Sequence, residues 1–177
     1  MESHFGTNVM LKSKQNINLC YQCKKCGAGC PVGDIMQYKN YEILRLIQLG
    51  HKSSVFQSNS PWVCVSCKAC SARCPNGIDT AKIMDVLKEE MLHAKAPIAE
   101  KKIVVFHKSF LQTVNLFGRL FELGLIGIYK MKTGTFTQDM ALGMKMMKCN
   151  KLHFLPIRIS RCGEIRRIFS QAREHEQ

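Results

Sequence analysis

Two runs of cysteine constrain this chain more than any other feature. Cys20, Cys23, Cys26 and Cys30 are followed by Pro31, and Cys64, Cys67, Cys70 and Cys74 are followed by Pro75. Each run reads C-x2-C-x2-C-x3-C-P, the spacing of proteins that carry a pair of [4Fe-4S] clusters. A thiolate at every third residue lets a tight loop curl around three iron corners of a cubane, and the fourth corner must be reached from elsewhere. In two-cluster proteins the fourth cysteine of each run ligates the other cluster. The spacing therefore predicts Cys20, Cys23, Cys26 and Cys74 on one cluster, and Cys64, Cys67, Cys70 and Cys30 on the second. Such a crossing ties the two runs together and holds the clusters close enough to exchange electrons.

Two plainer uses of cysteine fit less well. Structural zinc takes two well-separated pairs of ligands, and the third cysteine at the same spacing in both runs is surplus to that. Disulfides belong to oxidising compartments. Met1 to Leu19 has no apolar stretch of the kind a secretory leader needs, so reduced thiols and a cytoplasmic location are expected. Cys149 and Cys162 stand outside any ligand spacing and read as ordinary reduced cysteines.

Helical periodicity surrounds the runs. Ile43, Leu46 and Ile47 form a stripe that Gly50 ends, and Ser60-Pro61 breaks the chain before Trp62 and Val63 lead into the second run. After Pro75, Asp79 can cap a helix that buries Ile83, Val86, Leu87 and Met91 and stops before Pro97. The expected fold is mainly α: an α-helical ferredoxin module with two [4Fe-4S] clusters over residues 19–95, preceded by a polar N-terminal arm over 1–18. A helical C-terminal extension fills 96–177. In it, Ile103, Phe106, Phe110, Val114 and Phe117 recur at intervals of three and four, predicting a long amphipathic helix from Pro97 to about Phe117. Gly118, Gly124 and Gly127 punctuate the chain beyond it. Further helices are expected from Thr137 to Lys148, with Met140, Met144 and Met147 on one side, and from Glu164 to about Arg173. These stripes suit packing against the ferredoxin module, or docking against a partner.

Charge bears on the partner. The chain has 177 residues and a formal charge of +13, but an oxidised cubane with four thiolates adds about −2, so two clusters leave about +9. Residues 1–95 hold 12 Lys/Arg against 7 Asp/Glu, and residues 96–177 hold 14 against 6. The excess positive charge thus lies in the extension and suits an acidic protein surface. Few aromatics are interleaved with it and no nucleic-acid motif is recognisable, so no nucleic acid is expected. No stretch is long and apolar enough for a membrane span, since Phe117 to Tyr129 is broken by Arg119 and Glu122.

With those segments placed, the sequence resembles the C subunit of heterodisulfide reductase, the iron-sulfur subunit of a complex of methanogens and related anaerobes. The resemblance lies in Cys20-Tyr-Gln-Cys23, Cys26-Gly-Ala-Gly-Cys30-Pro31-Val32, Ile43-Leu-Arg-Leu-Ile-Gln-Leu-Gly50, Trp62-Val-Cys64-Val-Ser-Cys67 and Arg73-Cys74-Pro75. It extends through Gly118-Arg119-Leu120-Phe121-Glu122-Leu123-Gly124-Leu125 and Glu164-Ile-Arg-Arg-Ile-Phe169, and so over nearly the whole chain. Lys24-Lys25 departs from the glycine expected near that place. The resemblance implies a non-catalytic, electron-transfer component of an oxidoreductase. Such a component relays electrons from a flavin-bearing A subunit to the catalytic B subunit, which reduces the disulfide of coenzyme M and coenzyme B in methanogenesis. It also admits a place within a larger hydrogenase or formate dehydrogenase assembly. The alternatives are a free two-cluster ferredoxin that diffuses between partners, or the relay component of a related complex with another disulfide or acceptor.

No catalytic centre can be argued from the residues. His4, His51, His93, His107, His153 and His175 form no pair at metal-ligand intervals, and neither a glycine-rich dinucleotide fingerprint nor a nucleophile with its base is present. The remaining task for the protein is tuning. Backbone N–H groups of Gly27, Ala28, Gly29, Lys68, Ala69 and Ser71 are placed to approach cluster sulfurs, with Gly27 and Gly29 allowing unusual backbone angles. Lys24, Lys25, Lys68 and Arg73 would favour the more negative, reduced clusters.

Overall fold

The computed structural model describes residues 3–94, 98–134 and 161–175, with single positions at 96, 145, 146, 149 and 159. Helices, turns and irregular loops account for the described residues, which include no strand. The mainly α fold is thus as the sequence predicts. The chain divides into two compact units, Met1–Lys101 and Lys102–Gln177.

The first unit strings short helices between longer ones: α1 (Ser3–Ser13), a 3-10 turn (Ile17–Leu19), α2 (Lys25–Ala28), α3 (Asn40–Gln48), α4 (Lys52–Gln57), α5 (Ser60–Val63), α6 (Ala69–Ala72) and α7 (Thr80–His93). Its core forms where α1 packs on α3 and α7, α4 on α3, and α5 on α7. In α3, Ile43, Leu44 and Ile47 are buried, Leu46 is only half-buried, and Gly50 ends the helix with a φ of 79°. Glu42 closes its first turn by accepting a hydrogen bond from the Lys39 backbone N–H at 2.7 Å. Ile83, Val86, Leu87 and Met91 of α7 are all buried, as their spacing predicts, and Met84 joins them.

The segment read as a polar arm is the helix α1. Its pattern is weak, because only Phe5, Val9 and Ser13 are buried, yet these lie four residues apart on one face. The Ser13 hydroxyl donates to the Val9 carbonyl at 2.6 Å, and the Phe5 ring meets Phe56 edge-on at 5.8 Å. Gly6 lets the backbones close, for a Cβ there would stand 3.1 Å from the Ile47 carbonyl oxygen. An ion pair between Lys12 and Glu90 fastens the far end of α1 to α7.

Asp79 caps α7 as expected, accepting the Lys82 backbone N–H at 3.2 Å. It also accepts the Ser71 hydroxyl at 2.6 Å, while its own N–H donates to Gln15 Oε1 at 2.8 Å. One carboxylate therefore joins α7 to the second cysteine loop. The Ser71 hydroxyl, followed by the Lys82 N–H and the Lys68 ammonium, holds the Asp79 carboxyl below its ordinary value of 3.8. The ionised cap is fully effective above that value, and its contribution is lost as pH falls through the lower folded-state value. Asp79→Asn keeps a capping oxygen without the charge. It should melt with a shallower acid dependence than the parent below about pH 4, whereas Asp79→Ala should lose about 1 kcal/mol at neutral pH. Identical acid limbs for Asn and parent in anaerobic thermal melts would contradict this role.

In the second unit, α8 (Lys101–Phe117) is followed by α9 (Glu122–Thr133) and α10 (Cys162–His175). The burial differs from the predicted stripe. Val104, Ser109 and Thr113 are buried on α8, while Phe106 and Phe110 remain 42% and 36% exposed. In so small a unit large rings meet edge to edge without being enclosed: Phe106 lies 6.0 Å from Tyr129 of α9, and Phe117 lies 5.4 Å from Phe121. Gly124 and Gly127 do not interrupt the chain but lie within α9, which ends at Gly134 in the left-handed region. Gly118, with a φ of 78°, does end α8. There the Cys162 thiol donates to the carbonyls of Phe117 and Ile159 at 3.2 and 3.1 Å, an ordinary packing role for that cysteine. The helix expected from Thr137 to Lys148 falls mostly outside the described residues.

Candidate iron-sulfur site

The two cysteine loops share one backbone design at an offset of 44 residues, from Cys20 to Cys64. In the first, Gln22 and Lys24 adopt φ of 63° and 64°; in the second, Ser66 and Lys68 adopt 51° and 61°. Left-handed backbone alternating with ordinary backbone turns successive N–H groups into one concavity, which suits an anionic group. None of the four is glycine, and each costs roughly 1–2 kcal/mol in intrinsic preference. This is the physical reason that glycine is the natural expectation at Lys24. One-turn helices follow in each loop, α2 carrying Cys26 and α6 carrying Cys70, and the two helices pack on each other.

Each loop is fastened to the long helix behind it. Gln22 Nε2 donates to the Tyr41 carbonyl at 3.0 Å and reaches the Cys20 thiol at 3.3 Å. Gln48 Nε2 donates to the carbonyls of Ile17 and Cys20 at 2.9 and 3.2 Å. Asn40 reaches the Cys26 carbonyl at 3.4 Å. In the second loop Ser66 Oγ donates to Asp85 at 2.8 Å, and Lys88 Nζ bridges the Cys64 carbonyl and Asp85, each at 3.1 Å. Gln22, Asn40, Gln48, Ser66, Asp85 and Lys88 are positioning residues that the sequence did not single out. Their one visible signal is recurrence: Gln22 and Ser66 occupy the same place in the two runs.

A cavity opens beside the first loop. Its wall includes Cys20, Cys23 and Cys26, and Cys74 from the second run completes the set of thiols. Tyr41, Leu44 and Ile78 supply apolar walls. Among the described residues no three His, Cys, Asp or Glu side chains converge tightly enough for a single metal ion; the four thiols ring a space. Cys30 and Cys64 lie within electrostatic reach of each other, as do Cys64 and Cys70. Cys67, like Cys23, is exposed at its loop. Cys26 and Cys70 are buried, and share one cluster with Ala81 and the Tyr41 ring.

Burial pushes the Cys26 thiol up to about 11, with neighbouring Cys20, Cys70 and Cys23 adding to the effect. Burial likewise raises Cys64 and Cys70. Ionising so many neighbouring thiols in an apolar pocket needs a compensating cation, which an iron core provides on binding as protons leave. The donor set, four soft thiols around a partly apolar cavity, therefore fits an iron-sulfur cluster.

Some expected tuning contacts differ. The N–H groups of Gly27 and Ala28 donate to the Lys24 carbonyl at 3.0 and 3.2 Å, and that of Gly29 donates to Gly27, because α2 closes on itself. Ser71 N–H does approach the Cys70 thiol, and Ser66 N–H approaches Cys64. Gly27 and Gly29 also serve differently from expectation: neither has a positive φ. A Cβ at Gly27 would stand 2.9 Å from the Tyr41 ring, and one at Gly29 would run into the Arg73 guanidinium. Space is what they provide. Lys24 lines the cavity with its ammonium 5.8 Å from the Tyr41 ring centroid, and Lys68 pairs with Asp79 at 4.0 Å. Cys149 is exposed, and the Cys162 thiol is engaged with the Phe117 and Ile159 carbonyls of the second unit.

Comparison with known proteins covers the stretch that holds both cysteine runs. Residues 19–78 match the family described as a 4Fe-4S dicluster domain, so this part of the chain carries two [4Fe-4S] clusters. The chain is similar to the iron-sulfur C subunit of the CoB--CoM heterodisulfide reductase of Methanopyrus kandleri, 38% identical over 73 residues, which cover 41% of this chain and 36% of that protein. It is 28% identical over 88 residues to the C subunit of the H(2):CoB-CoM heterodisulfide,ferredoxin reductase of Methanothermobacter marburgensis, covering 50% of this chain and 46% of that one. These matches span less than half the length of either curated relative, and less of this chain than the resemblance read from its motifs. Among the described residues no helix is long and apolar enough to cross a membrane.

Proposed function

We propose that this chain is the electron-relay component of a heterodisulfide-reductase-type complex in the cytoplasm. In this reading Cys20, Cys23, Cys26 and Cys74 hold one [4Fe-4S] cluster, and Cys64, Cys67, Cys70 and Cys30 hold the other. The observation that carries it is the cavity walled by three thiols of one run and the last thiol of the other. A [4Fe-4S] cluster supplies a centre that accepts and releases electrons at a potential set by charge, burial and hydrogen bonds to sulfur. The chain's own residues supply the wiring. Buried Cys26 and Cys70 meet in one packed cluster, while Cys23 and Cys67 are exposed. This gives the module an interior between two redox centres and an outward thiol on each, the arrangement of a conductor that takes electrons at one face and delivers them at another.

Electrons would pass from a flavin-bearing A subunit to a B subunit that reduces the coenzyme M–coenzyme B disulfide, in keeping with the heterodisulfide for which the similar proteins are named. The basic stretch 96–177 would dock against an acidic partner surface and distinguish this chain from a diffusing ferredoxin, whereas 19–95 would form the cluster module. Anaerobic purification from the native source, with mass spectrometry of bound proteins and a heterodisulfide reduction assay, tests this. Recovery of a flavoprotein and a second iron-sulfur protein with that activity is the expected result. A lone two-cluster protein would mark a diffusing carrier, and a stable complex reducing another acceptor would transfer the relay to a related enzyme.

A further inference from the structure

One buried hydroxyl beside the first cavity has no hydrogen-bond partner in the fold. Thr80, the first residue of α7, is 1% exposed and lines the space walled by Cys20, Cys23, Cys26 and Cys74. Its Oγ1 is buried without a hydrogen-bond partner. A buried hydroxyl left unsatisfied costs about 1–3 kcal/mol, so such groups are normally paired. The Thr80 backbone is not free to shift away, since Asp79 fixes the start of α7 through Lys82 and ties it to Ser71. The lining includes Tyr21, Tyr41 and Asn76, but no acceptor there reaches Thr80 Oγ1. A cluster sulfide or ligating thiolate would.

We infer that the Thr80 hydroxyl donates a hydrogen bond to a sulfur of the cluster held by Cys20, Cys23, Cys26 and Cys74, and so raises the reduction potential of that cluster alone. This rests on the two-cluster reading above. The sign follows from charge: reduction adds an electron to the cluster, the sulfurs become stronger acceptors, and a donor stabilises the reduced form more than the oxidised one. The residue at the corresponding place behind the first run, 44 positions earlier, is Met36, buried and without a donor. The hydroxyl therefore makes the two sites unequal, although their loops share one backbone design.

The test is an EPR-monitored redox titration of the full chain, anaerobically loaded, with iron and sulfide counted. Thr80→Val and Thr80→Ala should each shift one cluster to more negative potential, by about tenfold in its reduction equilibrium or ~59 mV for one electron. Thr80→Ser should stay near the parent. In a Cys74→Ala background, Thr80→Val should leave the remaining cluster's potential unmoved. If Val and Ala lose the cluster while Ser retains it, the same bond is reported through assembly. Two intact clusters indifferent to Val and Ala, or a Ser variant shifted as far as Val, overturn the inference. A parent chain that binds no pair of [4Fe-4S] clusters contradicts the underlying reading instead.

Discussion

Cys74→Ala should abolish or convert the cluster held by Cys20, Cys23 and Cys26 while the second cluster survives. Nearness in sequence suggests the reverse, because Cys74 sits four residues after Cys70 and far from Cys20. The fold places it on the wall of the first cavity, with the three early thiols. Removing it leaves one iron corner without a thiolate, so loss to a three-iron form or complete loss is expected there. The reciprocal variant Cys30→Ala should damage the set of Cys64, Cys67 and Cys70. Mössbauer or EPR spectra of the two variants should thus lose complementary signals. Loss of the second cluster alone in Cys74→Ala would break the crossed assignment.

The second large effect lies in the packing that holds the loops in register. Leu87 of α7 is fully buried, as are Ile43 and Ile47 of α3 and Ile83 and Met91 of its own helix. Truncation to Ala removes three carbons from a site that cannot collapse freely, and should cost about 2–5 kcal/mol. Leu92, five residues on in the same helix, is 43% exposed, and its change to Ala should stay within about 0.5 kcal/mol. Since cluster loss makes unfolding irreversible, the useful readout is the rate at which cluster absorbance bleaches in denaturant. Leu87→Ala should bleach far faster than Leu92→Ala; equal rates would mean that cluster ligation alone holds the module.

How much the sequence disclosed depends on how local each signal is. Ile43, Ile47, Ile83, Leu87 and Met91 were legible because a helix repeats its buried face every three or four residues, and Asp79 because a cap acts within its own turn. Helix α1 was obscure: its buried face is Phe5, Val9 and Ser13, too sparse to register without α3 and α7 to pack on. The left-handed residues Gln22, Lys24, Ser66 and Lys68 carry no glycine signal, since the loops impose the conformation on side chains that would otherwise avoid it. Phe106 and Phe110 look like core by spacing, yet burial depends on how much protein surrounds a helix, which periodicity does not measure. Thr80 could not be distinguished from any helix-starting threonine until its hydroxyl was seen to be buried and alone.

A relay requires a pair of [4Fe-4S] clusters held close enough to pass electrons, and one measurement addresses that requirement most directly. EPR spectra of the anaerobically purified, fully reduced protein should show two reduced [4Fe-4S] clusters per chain, their signals split by magnetic interaction between neighbouring spins. Two independent, unsplit signals, a single cluster, or zinc in place of iron would contradict the relay.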